Sequence, residues 1–523
     1  MEWTFSASLQ ARKSAWISLM RNRTRLLCSL LAILVASPIH SQQITWSSSV
    51  RNERAIERVQ AIALTDTLLH VIEERDHHTL RWVRFGSESL RMVGNTEIIP
   101  ASEDDKLAYY FIRRDTLHTL STRWNRELER TEVYRMLYDT SGKRIGDQIL
   151  LHQQIDSSQP RSIGLQCKIS PDSTHILLFF DSENERKQTE GIHFKCFDTQ
   201  WKMAWEKDLR LPPSAEVLQV HHFLVDNSGA VYMMSGRKPL KSNADWQRPQ
   251  GGQYVVYYYN ATRNKLKQYD IGLKDKQVIS VDFKLNTNQE LVVGGYYSDN
   301  FQNKASGTLL FLLQANGGAI SKAAYTPFSK EFLREMSGKE KGGLDDFFLD
   351  HLHLTTNGSI VLVGEQYYAS RYVSTDPTTG RQIVEYRYNY NDIMVCLMDS
   401  SGQHVWNNRV AKRQLTSAVF DSNYSYSFAA DTKRLLVTFN DDPENNTPQE
   451  GKRRRETSLW SGTKNSVTTQ VAIDFDGKQT RRTCIENDTE RLLFNPLMTV
   501  SAPWSGLILG FDDKRTYKFC RLD

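Results

Sequence analysis

The sequence is poor in the features that most directly report a function. Of its six cysteines, Cys28 sits in an N-terminal apolar run. The other five, Cys167, Cys196, Cys396, Cys484 and Cys520, are odd in number and share no metal-type spacing. That excludes a complete disulfide framework and a cysteine-built zinc site. Each falls in an apolar strand pattern, where a thiol packs as a small hydrophobe. Charge of one sign is also scarce: 66 Lys and Arg against 61 Asp and Glu give a formal net charge of +5 over 523 residues. The chain therefore lacks the electrostatic footprint of a nucleic-acid binder. Beyond the N-terminus no apolar run is long enough to cross a membrane. Catalytic signatures are missing as well: no Gly-x-Ser-x-Gly elbow, no His-Glu-x-x-His, no phosphate loop. Asp474-Phe475-Asp476-Gly477 lacks the downstream ligands of a calcium loop and reads as a hairpin turn. No cofactor and no bound metal are expected.

What is present begins with an address. Arg21, Arg23 and Arg25 precede an apolar run from Leu26 to Ala36, and Ser37-Pro38-Ile39-His40-Ser41 follows. A basic segment, a short apolar segment and a small terminal residue describe a secretory signal peptide over 1–41. Met20 stands immediately before the arginines as an alternative start. Cys28 lacks the small residues that precede a lipidated cysteine. The expectation is export to the periplasm or the extracellular space, with residues 42–523 forming a single domain.

That domain is a repeat. In 390–414 an apolar run (Ile393 to Met398), the turn Asp399-Ser400-Ser401-Gly402 and an alternating run through Val405, Trp406 and Val410 make a β-hairpin. The same grammar recurs. One set of turns comprises Asp139–Gly142, Asp198–Gln200, Asn260–Asn264, Ala315–Gly318, Asp399–Gly402 and Asp474–Gly477. A second, interleaved set comprises Ser102–Asp105, Ser170–Ser173, Asp226–Gly229, Asn286–Asn288, Thr355–Gly358 and Ala430–Thr432. Four strands per unit at a period of roughly 45 to 70 residues is the pattern of a β-propeller. Units are expected at 97–153, 162–211, 217–272, 278–328, 347–414 and 420–486, with a shorter one at 55–95. The tail 494–523 supplies three strands, and the first mature segment, Gln43–Ser47, would complete it against Thr516–Leu522 and remove the exposed edges. This gives an all-β propeller of eight four-stranded blades, or seven if 55–95 and the tail merge. A two-domain β-sandwich is the alternative fold. Insertions at 113–130, 181–190, 236–252, 369–389 and 440–466, between second and third strands, and at 329–346, between blades, all leave one face, where function usually sits. In 329–346, Phe332, Leu333 and Met336 imply one or two helical turns before Gly338.

Two echoes link neighbouring units: Gly294-Gly295-Tyr296-Tyr297 and Gly364-Glu365-Gln366-Tyr367-Tyr368. With Tyr388-Asn389-Tyr390-Asn391-Asp392-Ile393 and the close Trp406…Lys412-Arg413-Gln414, the stretch 360–414 resembles a family of uncharacterised exported proteins of Bacteroidota-type bacteria. The resemblance implies a β-propeller and export, and brings no catalytic residues with it.

Two groups of side chains are candidates for function. Aligning the innermost strands on their turns stacks Gln166, His222, Asp282, His351 and Ser425 in one column and Lys168, Leu224, Lys284, His353 and Ser427 in another. Period-2 alternation puts each column on one side of its strand, so Gln166, His222, Asp282, His351 and His353 are expected to line a central channel. His351-x-His353 with Asp350 and His222 could ligate a metal, but no carboxylate spacing completes the set. The second group lies on the long-loop face, where aromatics stand beside cations: Trp124, Trp246, Tyr372, Tyr386 and Trp460 with Arg453 and Arg454. Rings flanked by guanidinium groups suit a glycan or protein partner. The expectation is a non-catalytic binding scaffold at the cell envelope, the alternative an envelope polysaccharide lyase or hydrolase with its site at the channel mouth.

Overall fold

The computed structural model describes residues 44–522 except 52–57, 77–78, 156–163, 182–190, 211–217, 238–252, 300–302, 376–377, 419–420, 448–453, 460–461, 503–505 and 514. Residues 1–41, the insertions 181–190 and 236–252 for all but their edges, and Trp246, Arg453 and Trp460 lie outside the described residues. Chain contacts gather Thr45–Arg521 into one compact body.

The turns explain why the chain folds as hairpins. Asp139, Asp226 and Asp399 each begin an Asp-x-Ser-Gly tetrad and make the same bonds. In the tetrad starting at Asp399, Oδ1 accepts from the Ser401 amide at 2.8 Å, the Ser401 hydroxyl at 2.6 Å and the Gln403 amide at 3.0 Å. Gly402, at φ +88°, closes the turn in a left-handed conformation that costs glycine little. Local side-chain bonding of this kind fixes the turn before any tertiary contact forms.

Eight antiparallel sheets of four strands follow, the blades of a β-propeller. Blade 1 comprises Arg58–Leu64, Leu68–Asp76, Thr79–Gly86 and Met92–Ile98; blades 2 to 7 span 106–155, 164–210, 218–271, 277–327, 347–410 and 427–486. Blade 8 has Leu493–Ala502, Gly506–Asp512 and Thr516–Leu522, with the N-terminal strand Ile44–Trp46 in the fourth place. Two further contacts fasten this end. The Ser47 amide donates to the Phe519 carbonyl at 2.9 Å, and Val50 and Arg51 pair with Tyr517 and Thr516.

First strands of successive blades touch, blade 1 against 2, 2 against 3, 3 against 4, 5 against 6 and 7 against 8, and that of blade 8 touches that of blade 1. The core lies between blades, because each sheet has two apolar faces and must cover both. Tyr296 and Leu310 of blade 5 pack on Leu362, Met394 and Cys396 of blade 6, and Val361, Val363 and Val395 on the other face of blade 6 pack on Leu435, Val437 and Phe439 of blade 7. Cys167, Cys196, Cys396 and Cys520 are buried, Cys484 is half-buried, and all five are free thiols.

Blade 2 departs from the expected register of elements. Lys106–Arg113, expected as the second strand, is the first. The stretch 113–130, expected as an insertion, is mainly the second strand, Thr116–Asn125. The connecting turn is Arg114-Asp115, both residues at positive φ (+49° and +56°). A two-residue turn of this geometry normally advertises itself with Gly or Asn, and here neither is present.

The segment 329–346 is helical at its start, as its apolar spacing implies. Ser329 caps the helix Lys330–Ser337 by accepting from the Phe332 amide at 3.1 Å, and Gly338 ends it at φ +74°. Phe332 and Leu333 join the core between blades 5 and 6.

Candidate functional site

Among the described residues the most elaborated blade is the sixth. Its second and third strands, Ile360–Thr375 and Gln382–Met398, run on past the sheet as a two-stranded ribbon paired as far as Thr375 and Gln382. The fourth strand, His404–Val410, leaves the ladder early, and the chain returns as a short strand, Gln414–Thr416, against Tyr388–Tyr390. The step between these two pairings opens a cavity of about 710 Å³, within the usual range for ligand pockets. Gln366, Tyr368, Asn389 and Asn391 line it from the ribbon, with Asp392, Arg409, Lys412, Arg413 and Arg454 supplying charge.

The floor is a buried ion pair. Lys412, with no exposure, places Nζ 2.6 Å from Glu365 Oε1, itself 2% exposed. The ammonium also donates to the Tyr390 carbonyl at 3.0 Å and to Gln414 Oε1 at 2.9 Å, so its three protons are all committed. Burial pulls the Lys412 pKa down, and the Glu365 carboxylate opposes that pull. The other Glu365 oxygen accepts from the Ser425 hydroxyl at 2.7 Å, and Gln414 donates to the Asn440 carbonyl at 2.8 Å. The network thereby ties blade 6 to blade 7.

The walls are charged but mostly paired. Asp392 holds Arg409 at 2.8 Å and accepts from the Lys412 amide at 3.1 Å. Arg413 pairs with Glu456 at 2.7 Å. Arg454 donates to a backbone carbonyl, that of Asn445, and forms no carboxylate pair among the described residues. The lining therefore offers one guanidinium in excess, together with amides and a phenol, and Asp392 is its only carboxylate.

The sequence candidates divide. Arg454 lines the cavity. Tyr372 and Tyr386 are about half exposed (47% and 50%) on the ribbon. They do not share a face: Tyr372 pairs with Glu385 and lies under the Arg387 guanidinium at 4.5 Å, whereas Tyr386 pairs with Arg371 on the opposite side. Alternation across the ladder forces that separation, so the two rings form no joint platform. Trp124 is half-buried within the second strand of blade 2, paired with Thr131, and stands on no loop.

The channel candidates also separate. Gln166 is exposed. His222 Nδ1 lies 2.9 Å from Asp282 Oδ1, linking blades 4 and 5. His351 instead stacks on Phe428 at 5.4 Å and meets Tyr426 edge-on, and His353 also faces Phe428. Burial, with Lys284 nearby, lowers the His351 pKa to about 4 and lowers that of His353 as well. Asp350, proposed from sequence as their partner, accepts from the Glu365 amide at 2.9 Å and the Tyr426 hydroxyl at 3.0 Å. Ser425 sits outside the strand, at φ +68°.

Sequence reasoning named Lys412 only within a motif and missed Glu365 as its partner. The available signal was a lysine followed by Arg413 and Gln414 directly after an apolar strand, where a surface run would be expected to stay solvated. Among the described residues no helix is long and apolar enough to cross a membrane.

No family model matches this chain, and no curated protein matches it. Solved structures do. The chain is similar to the Dos1 propeller at 10% identity and a TM-score of 0.44, over 91% of this chain and 95% of that one. It is similar to the polysaccharide lyase Uly1 at 13% identity and a TM-score of 0.35, over 90% and 99%. It also matches a prolyl endopeptidase at 9% identity and a TM-score of 0.35, where 81% of this chain spans 55% of that one. At these identities and TM-scores the likeness adds nothing to what the eight sheets of the chain itself show: it is an eight-bladed β-propeller.

Proposed function

We propose that this chain is an exported propeller at the cell envelope that binds its ligand without transforming it, and that the ligand is an acidic, hydroxyl-rich glycan seated in the blade 6 cavity. The observation that carries the reading is the lining: one guanidinium in excess, that of Arg454, surrounded by Gln366, Tyr368, Asn389 and Asn391. Amides and phenols suit sugar hydroxyls, and a guanidinium suits a carboxylate. The reading favours binding over the lyase or hydrolase alternative because the ionisable groups at the floor are already engaged. Lys412 is held by Glu365, and Asp392 by Arg409, so neither is free to move a proton. Export rests on the basic and apolar pattern of 21–41 and on the resemblance of 360–414 to an exported family.

Calorimetric titration with oligogalacturonate and with a neutral oligosaccharide of equal length tests the reading. The acidic ligand should bind, the neutral one at least ten-fold more weakly, and Arg454→Ala should weaken the acidic one about ten-fold with an unchanged melting curve. Equal affinity for both sugars, or no effect of Arg454→Ala, sinks the proposal. Turnover of the oligosaccharide would return the lyase or hydrolase reading.

A further inference from the structure

A second cluster lies far from the cavity, where blade 2 meets blade 3. His152 stands on the outermost strand of blade 2, Ile149–Ile155, directly after a register shift in its pairing with Arg130–Tyr138. Its ring stacks on Phe180 of blade 3 at 4.1 Å and lies 4.7 Å from that of His193. His193 belongs to Gly191–Phe197, and the neighbouring strand Met203–Arg210 places Asp208 opposite His193 and Glu206 opposite Lys195. These four side chains therefore share one face of blade 3, the face that meets His152.

The bonding of His193 is unusual. Nδ1 lies 2.6 Å from Asp208 Oδ1, and a carboxylate at that distance requires the proton on Nδ1. Nε2 lies 3.0 Å from Glu206 Oε1, yet it is buried without a hydrogen bond. The Lys195 ammonium approaches the same carboxylate oxygen at 3.2 Å. His152 brings a third donor: one ligand atom from each of His152, His193 and Glu206 lie within 4.8 Å of one another.

We propose that His152, His193 and Glu206 form a site for a zinc-class divalent ion that pins blade 2 to blade 3. Two imidazoles and a carboxylate are a borderline-soft donor set that suits zinc, with a fourth position left for water. Tetrahedral ligands about 2.0–2.2 Å from an ion stand roughly 3.4 Å apart, and the three donor atoms already lie within 4.8 Å of one another. Asp208 takes the orienting part that a carboxylate commonly plays behind a ligating histidine. Access is open, since the Glu206 side chain is 39% exposed and that of Asp208 78%. Lys195 also reaches the Leu151 carbonyl at 3.0 Å, so it can leave the carboxylate oxygen without losing every partner. The histidines singled out in the sequence as metal candidates, His351, His353 and His222 with Asp350, lie elsewhere, and only strand pairing sets Asp208 opposite His193 and Glu206 opposite Lys195.

The experiment is titration of the chelator-treated full chain with zinc chloride, read by calorimetry and elemental analysis, with cobalt(II) as the spectroscopic probe. One ion per chain is expected, with the visible bands of a nitrogen–oxygen tetrahedral cobalt site and a melting temperature raised by zinc. His193→Gln should abolish binding, and Glu206→Gln and Asp208→Asn should each weaken it 10- to 100-fold, as loss of a ligand or its orienting partner commonly does. Lys195→Met should tighten it, because the competing ammonium is gone. Glu206 is half-exposed, so Glu206→Gln remains decisive even if His193→Gln fails to fold. Zinc binding indifferent to Glu206→Gln overturns the proposal. So does zinc lost instead from a His351→Ala/His353→Ala variant, or no uptake at millimolar zinc.

Discussion

Replacing Lys412 by methionine probes the floor of the cavity most directly. The substitution keeps the aliphatic stem and removes the ammonium. Three bonds disappear, to Glu365 Oε1, the Tyr390 carbonyl and Gln414 Oε1. Gln414 Oε1 keeps a donor in the Ser425 amide at 2.9 Å, so its loss is partial. Glu365 keeps the Ser425 hydroxyl but loses the one cation paired with it among the described residues, at 2% exposure. Breaking a buried pair by removing one partner costs about 3–5 kcal/mol, most of it the uncompensated charge. For a chain of this length the unfolding entropy is roughly 1 kcal/mol per kelvin, so the melting temperature should fall by about 4 °C. Differential scanning calorimetry reads that shift. The double variant Lys412→Met/Glu365→Gln removes the stranded charge as well and should recover at least half of the loss. A double variant as unstable as Lys412→Met alone would refute the argument, because the cost would then lie in packing and not in charge.

Removing residues 44–51 should lower the melting temperature sharply, since Val50 is buried in the core between blades 1 and 8 and the Ser47 hydroxyl accepts from the Phe519 amide at 2.9 Å; an unchanged melting curve would count against that role. Burial holds His118, His351 and His404 at about 4, below the roughly 6.5 of an unfolded imidazole. The unfolded chain thus takes up protons first as pH falls from about 6.5 toward 4, so stability is complete above that window and declines through it. Melting temperatures at pH 7 and pH 5 check the sign, and His118→Gln, which can still accept from the Trp201 indole, should flatten the slope. Gly317→Ala should cost clearly more than Gly146→Ala: both sit at positive φ, but only at Gly317 would a Cβ stand 2.2 Å from Tyr258, whereas Gly146 has open space. The left-handed strain common to both is about 1–2 kcal/mol, and chemical denaturation separates the excess.

The blades were legible in the sequence because their turns are local. An aspartate that accepts from its own Ser, two residues on, makes a bend without help from the rest of the chain, so Asp139, Asp226 and Asp399 mark blades reliably. Blade 2 departs from the reading because its first bend, Arg114-Asp115, is a different, two-residue turn with both residues at positive φ and no Gly or Asn to mark it. The glycine echo has a physical cause. The first strands of blades 5 and 6 shift register beside Gly295 and Gly364, and a Cβ there would meet the Ser280 and Phe348 carbonyls at 2.1 and 2.3 Å. The cavity could not be read in advance. Its floor joins Glu365 to Lys412, and the lining adds Arg454, residues brought together only by strand pairing between and within blades. Nor could the opposed faces of Tyr372 and Tyr386, because the register shift between Glu365 and Tyr367 breaks the parity counted out from the core.

The pairing of Ser47 with Phe519 joins residues 472 positions apart, and that separation governs the order of events when the chain folds. Each blade is a meander of neighbouring hairpins and can form as soon as its own strands exist. The junction between the first and last strands must wait for the whole chain. On loop-closure grounds, bringing those ends together costs about 4 kcal/mol more than closing a hairpin turn, and such non-local contacts form slowly. Refolding should therefore run in two stages, strand signal first and the environment of Trp46, which packs on Phe511 and under Lys518, later. Between the stages Thr516–Leu522 has an open edge, and at high protein concentration the N-terminal strand of another molecule can fill it.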